Sequence, residues 1–491
     1  MPYPARALAD LETDKLGRCE LDEHLIVVTT DSHIGPRLRD DLRSYCPPNY
    51  LDEYDEFLTA VEPLCDPFMI YKMFDEDAVD DGSASEGRKL SFAALKRNAT
   101  PGHHDVYARL KDMDRDGVAA DVIYHGSQNG QSFPFIDPAG GTFSSFVFSP
   151  VGTARQLELA AVGQHMYNRW LADQCSVEPD RHVGLAYLPM WDIEAAIREL
   201  EWAHSVGLRA INFPAPKPGI KPYDSPAWEP FWAAAAERQM ALCTHDGAGV
   251  DDVSVARPHS LLVSMLEGEL IRKLFPRILL SGIFERHPNL RLVLTEVQRP
   301  ASSWWTQTAK MYDELWETNR NRLEQAVPRP PSEYIASNVF LGQSYLHILP
   351  SEVGIAARDG YAANFTWGSD YPHQEGVYRH PDPGEQETRI SMGLRHAFSG
   401  APAEVAKGMV GGNAIAAYGL DRSRLAAVAE RIGAITPSQL ATPLDTVPEE
   451  WAILARAQTV FPEYHLANPE HDRVSTDQAA SVDLASAGRK S

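Results

Sequence analysis

Short apolar runs with β-strand character alternate with longer amphipathic stretches along most of the chain, and this alternation limits the folds open to it. Segments such as 192–207 and 228–240 carry apolar residues at helical spacing between such runs. Strand–helix–strand alternation favours parallel strands joined by right-handed crossovers. Eight units in about 400 residues therefore predict an α/β fold, a distorted (β/α)8 TIM barrel. The strands are predicted at residues 26–30, 120–124, 183–187, 209–213, 241–244, 290–295, 338–341 and 364–367.

Two large insertions and a C-terminal extension depart from this pattern. The first insertion, at about 36–105, is rich in Asp, Glu, Pro and Tyr, and the second, at about 126–151, is rich in Gly, Ser, Phe and Pro. Both are expected at the C-terminal face of the barrel, where their aromatic residues could line an apolar cavity or anchor surface loops. We assign residues 1–421 to the barrel domain, 422–470 to a helical tail and 471–491 to a polar segment expected to be disordered.

Composition narrows the partners. The formal net charge of -23 argues against nucleic acid or an anionic membrane surface as the main partner. No apolar run approaches the roughly eighteen residues of a membrane-spanning helix, and residues 1–24 lack the apolar core of a secretory signal. The 5 cysteines are widely spaced without a CxxC motif, which is typical of reduced structural thiols. We expect a cytoplasmic protein that acts on a small molecule.

Metal-ligating residue types end or follow several of the predicted strands. Asp31 and His33 end the first, His245 ends the fifth, Glu296 ends the sixth and Asp370 follows the eighth. Residues two apart on a strand project to the same side, and the first and last strands of a barrel are neighbours. Carboxylate and imidazole ligands suit Zn, Mn or Fe. Because buried carboxylates are costly unless a cation neutralises them, the pattern predicts a metal centre.

Other polar residues are candidates for supporting roles. His125 ends the second predicted strand and could hydrogen-bond an oxyanion, protonate a leaving group, bind a second metal or merely cap a loop. His259 and His373 are predicted to contact substrate near the mouth of the barrel. Arg109, on a predicted helix, is expected to make a structural ion pair. The chain contains no GxSxG, no Gly-rich phosphate loop and no GxGxxG after a strand.

Several motifs carry a family resemblance. They are DSHIGP at the first strand, GVAADVIY at the second, THDG at the fifth, SGIFERHPNLRLVLTE at the sixth, WGSDYPH at the eighth and GGNAIAAYGL near Asn413. Together they resemble the amidohydrolase superfamily, in particular its amidohydrolase-related branch of aminocarboxymuconate-semialdehyde decarboxylase-like enzymes, over about residues 24–421. The resemblance implies a distorted barrel with one or two divalent metals (Zn, Fe or Mn). It also implies that relatives dimerise, so residues 422–470 could form a homodimer interface.

The resemblance also implies roles for individual residues. His33 and His245 would be metal ligands, and Asp370 would bind the metal and exchange protons with its water or with substrate. The family usually has His-x-His at the first strand, where this chain has Asp31, although some of its decarboxylases use a carboxylate there. Glu296 stands where many relatives carry a His. It could bridge two metals, or it could orient His245 or a water without touching the metal.

Three functions are compatible with these residues. The first is a metal-dependent hydrolase in which a metal-activated water cleaves an amide, ester or thioester of a bulky, partly apolar small molecule, with Asp370 and His125 as catalytic residues. The second is non-oxidative decarboxylation, in which one metal binds the substrate and an acid protonates the carbon centre. The third is a barrel that has lost catalysis and only binds a ligand. Hydrolysis is the leading prediction, because a carboxylate such as Glu296 could bridge two metals around a nucleophilic hydroxide.

Overall fold

The structure, a computed structural model, describes residues 23–62, 99–126, 132–136, 153–212, 214, 216, 219–245, 270–295, 301–343, 350–373, 376–380, 384–385 and 387–448. Within these ranges, eight parallel strands form one sheet in sequence order. All eight predicted strands and the predicted barrel order are therefore confirmed. The strands are β1 (Val28–Ile34), β2 (Ala120–His125), β3 (His182–Tyr187), β4 (Ala210–Asn212), β5 (Ala241–Thr244), β6 (Leu292–Thr295), β7 (Val339–Gln343) and β8 (Phe365–Trp367).

Helices occupy the intervals between strands and follow the last one. The α-helices of the described residues are α1 (Leu51–Val61), α2 (Val106–Asp116), α3 (Ala154–Cys175), α4 (Ile193–Ser205), α5 (Glu229–Glu237), α6 (Leu270–Leu280), α7 (Ile283–Arg286), α8 (Ala301–Thr318), α9 (Arg320–Leu323), α10 (Pro331–Asn338), α11 (Pro350–Asp359), α12 (Arg389–Phe398), α13 (Ala403–Lys407), α14 (Asn413–Tyr418), α15 (Arg422–Ile432) and α16 (Pro437–Leu440). Short 3-10 or π turns lie at Leu38–Leu42, Arg43–Tyr45, Pro48–Tyr50, Pro101–His103, Pro226–Trp228, Ala362–Asn364 and Gly408–Gly412.

Helix α2 has sharply defined ends, which matters because it packs beside β1 and β2. The carboxylate of Asp105 accepts hydrogen bonds from the backbone N–H groups of Tyr107 and Ala108, which have no partner inside the helix. At the other end Gly117 has φ 71, in the left-handed region that glycine adopts without steric cost. The chain then turns directly into β2. Both ends of α2 are thus encoded by local sequence signals.

The barrel closes between β8 and β1 without a continuous ladder. Ser32 and Tyr371 form an isolated parallel bridge at this seam. The backbone N–H of Asp370 donates to the carbonyl of Asp31 at 3.0 Å, and that of His33 donates to the carbonyl of Tyr371 at 2.6 Å. The contacts between the first and last strands are therefore concentrated at their C-terminal ends, where the predicted metal ligands lie.

A bulge in β1 decides which of its side chains face inward. Between Thr29 and Ser32, β1 advances three residues while its partner β2 advances two. One extra residue reverses the alternation of side chains beyond it. Val28 lies in the cluster inside the barrel, and after the bulge Asp31 and His33 also face the interior, where they contact His245 and Asp370. The strand also continues to residue 34, beyond the predicted end at residue 30.

The apolar core has an inner and an outer part. Val122 and Tyr124 of β2 belong to the cluster inside the barrel, whereas the intervening Ile123 belongs to the larger cluster between strands and helices. Leu425 and Ala429 of α15 join the inner cluster together with the first residues of β2, β4 and β5, so α15 closes the N-terminal end of the barrel. No helix that the structure describes is both long and apolar enough to cross a membrane.

Parts of the predicted domain organisation lie outside the described residues. Most of both insertions and everything beyond residue 448, including the predicted tail at 471–491, fall in this category. Residues 422–448 contain α15 and α16, as expected for the start of a helical extension. The division into a barrel, an extension and a tail stays a prediction.

A buried ion pair joins α2 to the barrel wall, as expected for Arg109. Its Nε donates to the Asp121 carboxylate at 2.6 Å, and His182 Nδ1 lies 2.8 Å from the other Asp121 oxygen. Burial alone would raise the pKa of Asp121, but Arg109 and His182 outweigh it and hold the pKa well below its usual range. Asp121 is therefore ionised throughout the neutral range.

Removing this carboxylate charge should destabilise the fold. We expect Asp121→Asn to lower the free energy of unfolding by about 3–5 kcal/mol, because it leaves a buried guanidinium without its counter-ion. Asp55→Asn is the control: its pair with Arg43 is more than 40% exposed on both sides, so it should cost under about 1 kcal/mol. Since the folded pKa is depressed, the Asp121 contribution is present above about pH 4 and is lost as pH falls further. Equal urea midpoints for the two variants at pH 7 would refute the assignment.

Candidate metal centre

Four predicted ligands meet at the C-terminal end of the barrel. His33 Nε2 lies 3.1 Å from Asp31 Oδ1 and 3.2 Å from Asp370 Oδ1, and His245 Nε2 lies 3.4 Å from Asp31 Oδ1. Ligands held ~2.0–2.2 Å from a common ion are ~2.8–3.6 Å apart at tetrahedral or octahedral angles. The observed separations fall within that interval. These side chains could therefore all bind one ion.

The condition of Asp31 provides the test of whether a cation fits. Its side chain is fully buried, and among the described residues neither of its carboxylate oxygens has a hydrogen-bond partner. Burial alone would raise its pKa, but His245 and His33 more than offset this and leave the pKa well below the usual value. A buried, ionised carboxylate needs compensating positive charge. The donor set of two carboxylates and two imidazoles suits a divalent transition metal.

His33 is oriented for metal binding by the strand next to it. Its Nδ1 lies 3.4 Å from the backbone carbonyl of His125, which can only accept a hydrogen bond, so Nδ1 carries the proton. The lone pair then resides on Nε2, the atom that faces Asp31 and Asp370. Burial lowers the pKa of His33 and so favours the neutral imidazole that binds metals.

Tyr124, which the sequence analysis did not single out, forms part of the wall beside the ligands. Its ring centroid lies 4.8 Å from that of His245 and 5.9 Å from that of His33, and its hydroxyl shares a 2.8 Å hydrogen bond with Thr295. Burial raises the pKa of Tyr124 well above its usual value, so the hydroxyl stays protonated. Alternation along β2 could have indicated this residue, because Val122 and Tyr124 share the inward face.

The same alternation corrects the expected direction of His125. Because Tyr124 faces the metal centre, the ring of its neighbour points to the other side of β2, where it contacts Phe133 and Tyr167 at centroid distances of 4.9 and 5.2 Å. Burial, together with the nearby His33, lowers the pKa of His125 to about 3. Its ring is thus neutral and directed away from the ligands, which does not favour the predicted catalytic role.

His373 lies directly at the candidate centre as a partner of Asp370. Its Nδ1 is 3.0 Å from Asp370 Oδ1, and its ring stacks on His33 with a centroid distance of 3.9 Å and an interplanar angle of 13°. A metal bonded to an imidazole nitrogen lies in the plane of that ring. Two nearly parallel, stacked rings therefore cannot both bind one ion well. We assign His33 as the ligand and His373 as the group that orients the Asp370 carboxylate.

Two predicted site residues lie outside the described residues. Glu296 immediately follows the last residue of β6, Thr295, and His259 lies between β5 and α6. Their assignments as metal ligand and substrate contact stay predictions, as does the substrate contact proposed for His373. The structure accordingly brings together four of the five predicted ligands.

Ligands at the C-terminal ends of strands one, five and eight define the class of a metal-dependent (β/α)8-barrel enzyme. The profile of the family described as Amidohydrolase matches residues 127–420, more than half of the chain. The protein belongs to this family, and the resemblance seen in its motifs is confirmed.

Comparison with curated proteins finds decarboxylases. The chain is 30% identical over 153 residues to the gamma-resorcylate decarboxylase of Rhodococcus jostii, covering 28% of this chain and 46% of that protein. It is 28% identical over 163 residues to the gamma-resorcylate decarboxylase of a Polaromonas species, covering 30% of this chain and 50% of that protein. The chain thus spans half or less of the length of these curated relatives.

Solved structures share the fold at low sequence identity. An amidohydrolase from Mycobacterium avium subsp. paratuberculosis superposes with a TM-score of 0.55 at 17% identity, over 81% of this chain and 100% of that one. A 5-carboxyvanillate decarboxylase from Novosphingobium aromaticivorans, crystallised with manganese, gives 0.51 at 17% identity over 81% and 96%. These matches support the barrel fold.

The leading functional prediction from the sequence is wrong. Hydrolysis of an amide, ester or thioester is not the activity of the curated relatives, which are non-oxidative decarboxylases. The prediction failed because Asp and His ligands on a barrel serve both reactions equally well. The residue types that bind a metal carry no information about which bond breaks.

Proposed function

We propose that this protein is a metal-dependent non-oxidative decarboxylase of hydroxylated aromatic carboxylic acids. The curated relatives act on gamma-resorcylate, and one structural neighbour is a 5-carboxyvanillate decarboxylase. The observation that carries the proposal is the convergence of Asp31, His245 and Asp370 around His33 Nε2, which provides one metal position. A single ion is sufficient for decarboxylation, whereas the predicted hydrolysis relied on a bridged pair.

Asp31, His33, His245 and Asp370 would hold the ion. Oxygen and imidazole donors suit Mn²⁺, and a relative of the same fold was crystallised with manganese, so Mn²⁺ is the first metal to test. When bound, such an ion would hold the substrate's carboxylate or adjacent hydroxyl and withdraw electron density from it. Since the ligands are buried, the reacting groups would be held in a site largely shielded from water.

Asp370 is the residue that would move the proton. In its protonated form it gives the proton to the ring carbon that bears the carboxylate. The bond between that carbon and the carboxylate then breaks, its electron pair returns to the ring, and CO2 leaves. The balance is one carboxylate and one proton converted to one arene and one CO2. His373, 3.0 Å from Asp370 and partly exposed, fixes the orientation of this carboxyl group from the side of the barrel mouth.

A substrate panel tests the proposal directly. Protein loaded with Mn²⁺ should release CO2 from gamma-resorcylate or 5-carboxyvanillate, measured together with the phenol product by chromatography. Benzoate is the matched control: it has the carboxylate but no neighbouring hydroxyl, so it should react at least about 100-fold more slowly. Cleavage of aryl esters or amides without CO2 release would overturn the proposal. A protein that binds Mn²⁺ and these acids but converts none of them would be a binding barrel.

A further inference from the structure

The seam of the barrel poses a positional problem for the metal site. Asp31 and His33 come from β1 and Asp370 follows β8, yet their side chains must stay about 3.2 Å apart, as they are here. At the seam these two strands share an isolated bridge in place of a continuous ladder. Asp370 also has φ 54, a backbone conformation that a non-glycine residue keeps only when its surroundings impose it. Something beyond the sheet must hold the two sides together.

Helix α2 reaches both sides of the seam. Arg109 donates from Nη1 to the backbone carbonyl of His33 at 2.8 Å and from Nη2 to the hydroxyl of Ser32. Its guanidinium also lies over the ring of Tyr371, 4.8 Å from the centroid. One rigid, fully buried cation thus touches the strand that carries two ligands and the residue next to the third.

Asp112, one turn further along α2, holds the other end of Tyr371. Its Oδ2 accepts a 2.9 Å hydrogen bond from the Tyr371 hydroxyl, and Thr100 donates to the same oxygen at 2.8 Å. Arg115 donates to Oδ1 at 2.8 Å, so the carboxylate is fixed on both oxygens. The Tyr371 side chain is therefore held at its ring face and at its hydroxyl by residues of a single helix.

We propose that Tyr371 is a positioning residue through which Arg109 and Asp112 set the distance between the metal ligands of β1 and Asp370. The inference rests on the metal site of the proposed function, but it does not depend on which substrate is converted. Loss of the Tyr371 hydroxyl frees the segment that carries Asp370 while leaving the ligands themselves unchanged. The expected consequence is weaker metal binding without loss of the fold.

The chain supplies a closely matched control. Tyr378 also donates to Asp112 Oδ2, at 3.2 Å, and its ring packs against that of Tyr371 at a centroid distance of 4.5 Å. We expect Tyr371→Phe to raise the Kd for Mn²⁺ about 10- to 100-fold, in the range seen when groups that orient metal ligands are removed. Tyr378→Phe loses the same kind of bond to the same oxygen, but it is not adjacent to a ligand and should leave the Kd within about 3-fold. Mn²⁺ alone is titrated into apoprotein and followed by electron paramagnetic resonance.

A second pair of variants tests the arginine side of the arrangement. Arg181 is as buried as Arg109, but it donates to the carbonyls of Val118 and Ala119, before the first residue of β2 and away from the metal end. Arg109→Lys and Arg181→Lys should both lower the Tm, because each loses hydrogen bonds of a buried guanidinium. Arg109→Lys alone should weaken Mn²⁺ binding.

The outcomes separate this inference from the proposed function. Equal Mn²⁺ affinities for wild type and Tyr371→Phe, or equal losses in Tyr371→Phe and Tyr378→Phe, would overturn the positioning role while leaving decarboxylation intact. A wild-type protein that binds no Mn²⁺ would overturn both. A weakened Kd in Tyr371→Phe supports the positioning role even if no tested acid is decarboxylated.

Discussion

Replacing Asp370 by Asn should reduce decarboxylation by about 10³-fold or more, because one substitution removes both an anionic metal ligand and the proposed proton donor. The amide cannot give up a proton at neutral pH, and it contributes no negative charge at a point 3.2 Å from His33 Nε2. The side chain is fully buried, so solvent cannot readily substitute for it. The measurement is kcat at saturating Mn²⁺, together with the metal content per chain by elemental mass spectrometry.

The control for this variant keeps the chemistry of the substitution and changes the place. Asp421 caps the N-terminus of α15, at the end of the barrel away from the candidate centre, and Asn caps helices as well as Asp does. Asp421→Asn should therefore have wild-type activity and metal content. If Asp370→Asn retained both activity and metal, Asp370 would be neither ligand nor acid.

Removing the metal should abolish activity, and adding Mn²⁺ should restore it. The same addition should raise the Tm, because an ion that binds only the folded state stabilises it, by about 2.7 kcal/mol at 100 times its Kd. His33→Ala should eliminate this Mn²⁺-dependent shift, since His33 Nε2 is the atom around which the other ligands converge. Activity and thermal melts with and without a chelator provide the measurement.

A second histidine variant tests whether that shift is specific. His287 lies before β6 and bonds to Glu229 at 2.9 Å, remote from the ligand cluster. His287→Ala should keep the full Mn²⁺-dependent rise in Tm. Full activity after exhaustive chelation, or an unchanged Mn²⁺ shift in His33→Ala, would contradict the assignment of the centre.

The number of ions distinguishes the two reactions that the sequence left open. In the described part of the chain, both groups of candidate ligands include His33, and the stacking of His373 on His33 leaves one good position for an ion. A second ion would need Glu296, which follows β6 outside the described residues. A measured content close to one metal per chain agrees with decarboxylation, whereas two would call for a renewed test of hydrolysis.

Much of the fold and of the ligand set was predictable from local sequence. Alternation of polar and apolar residues is a short-range signal, so the eight strands and their order followed from it. The ligands could be named because barrel proteins concentrate functional groups at the C-terminal ends of strands. Asp31, His33, His245 and Asp370 do meet there.

Other features depend on pairing between distant segments, which no local pattern encodes. The bulge that turns Asp31 and His33 inward arises from the register of β1 against β2, and the outward direction of the His125 ring follows from the same sheet. The stacking of His373 on His33 and the reach of α2 across the seam to Tyr371 join residues far apart in the chain. The sequence by itself determined which residue types end each strand, because strand periodicity and ligand chemistry are local properties. Only the tertiary structure decided which of them share one ion and what holds them at that distance, because both depend on how strands register and helices pack.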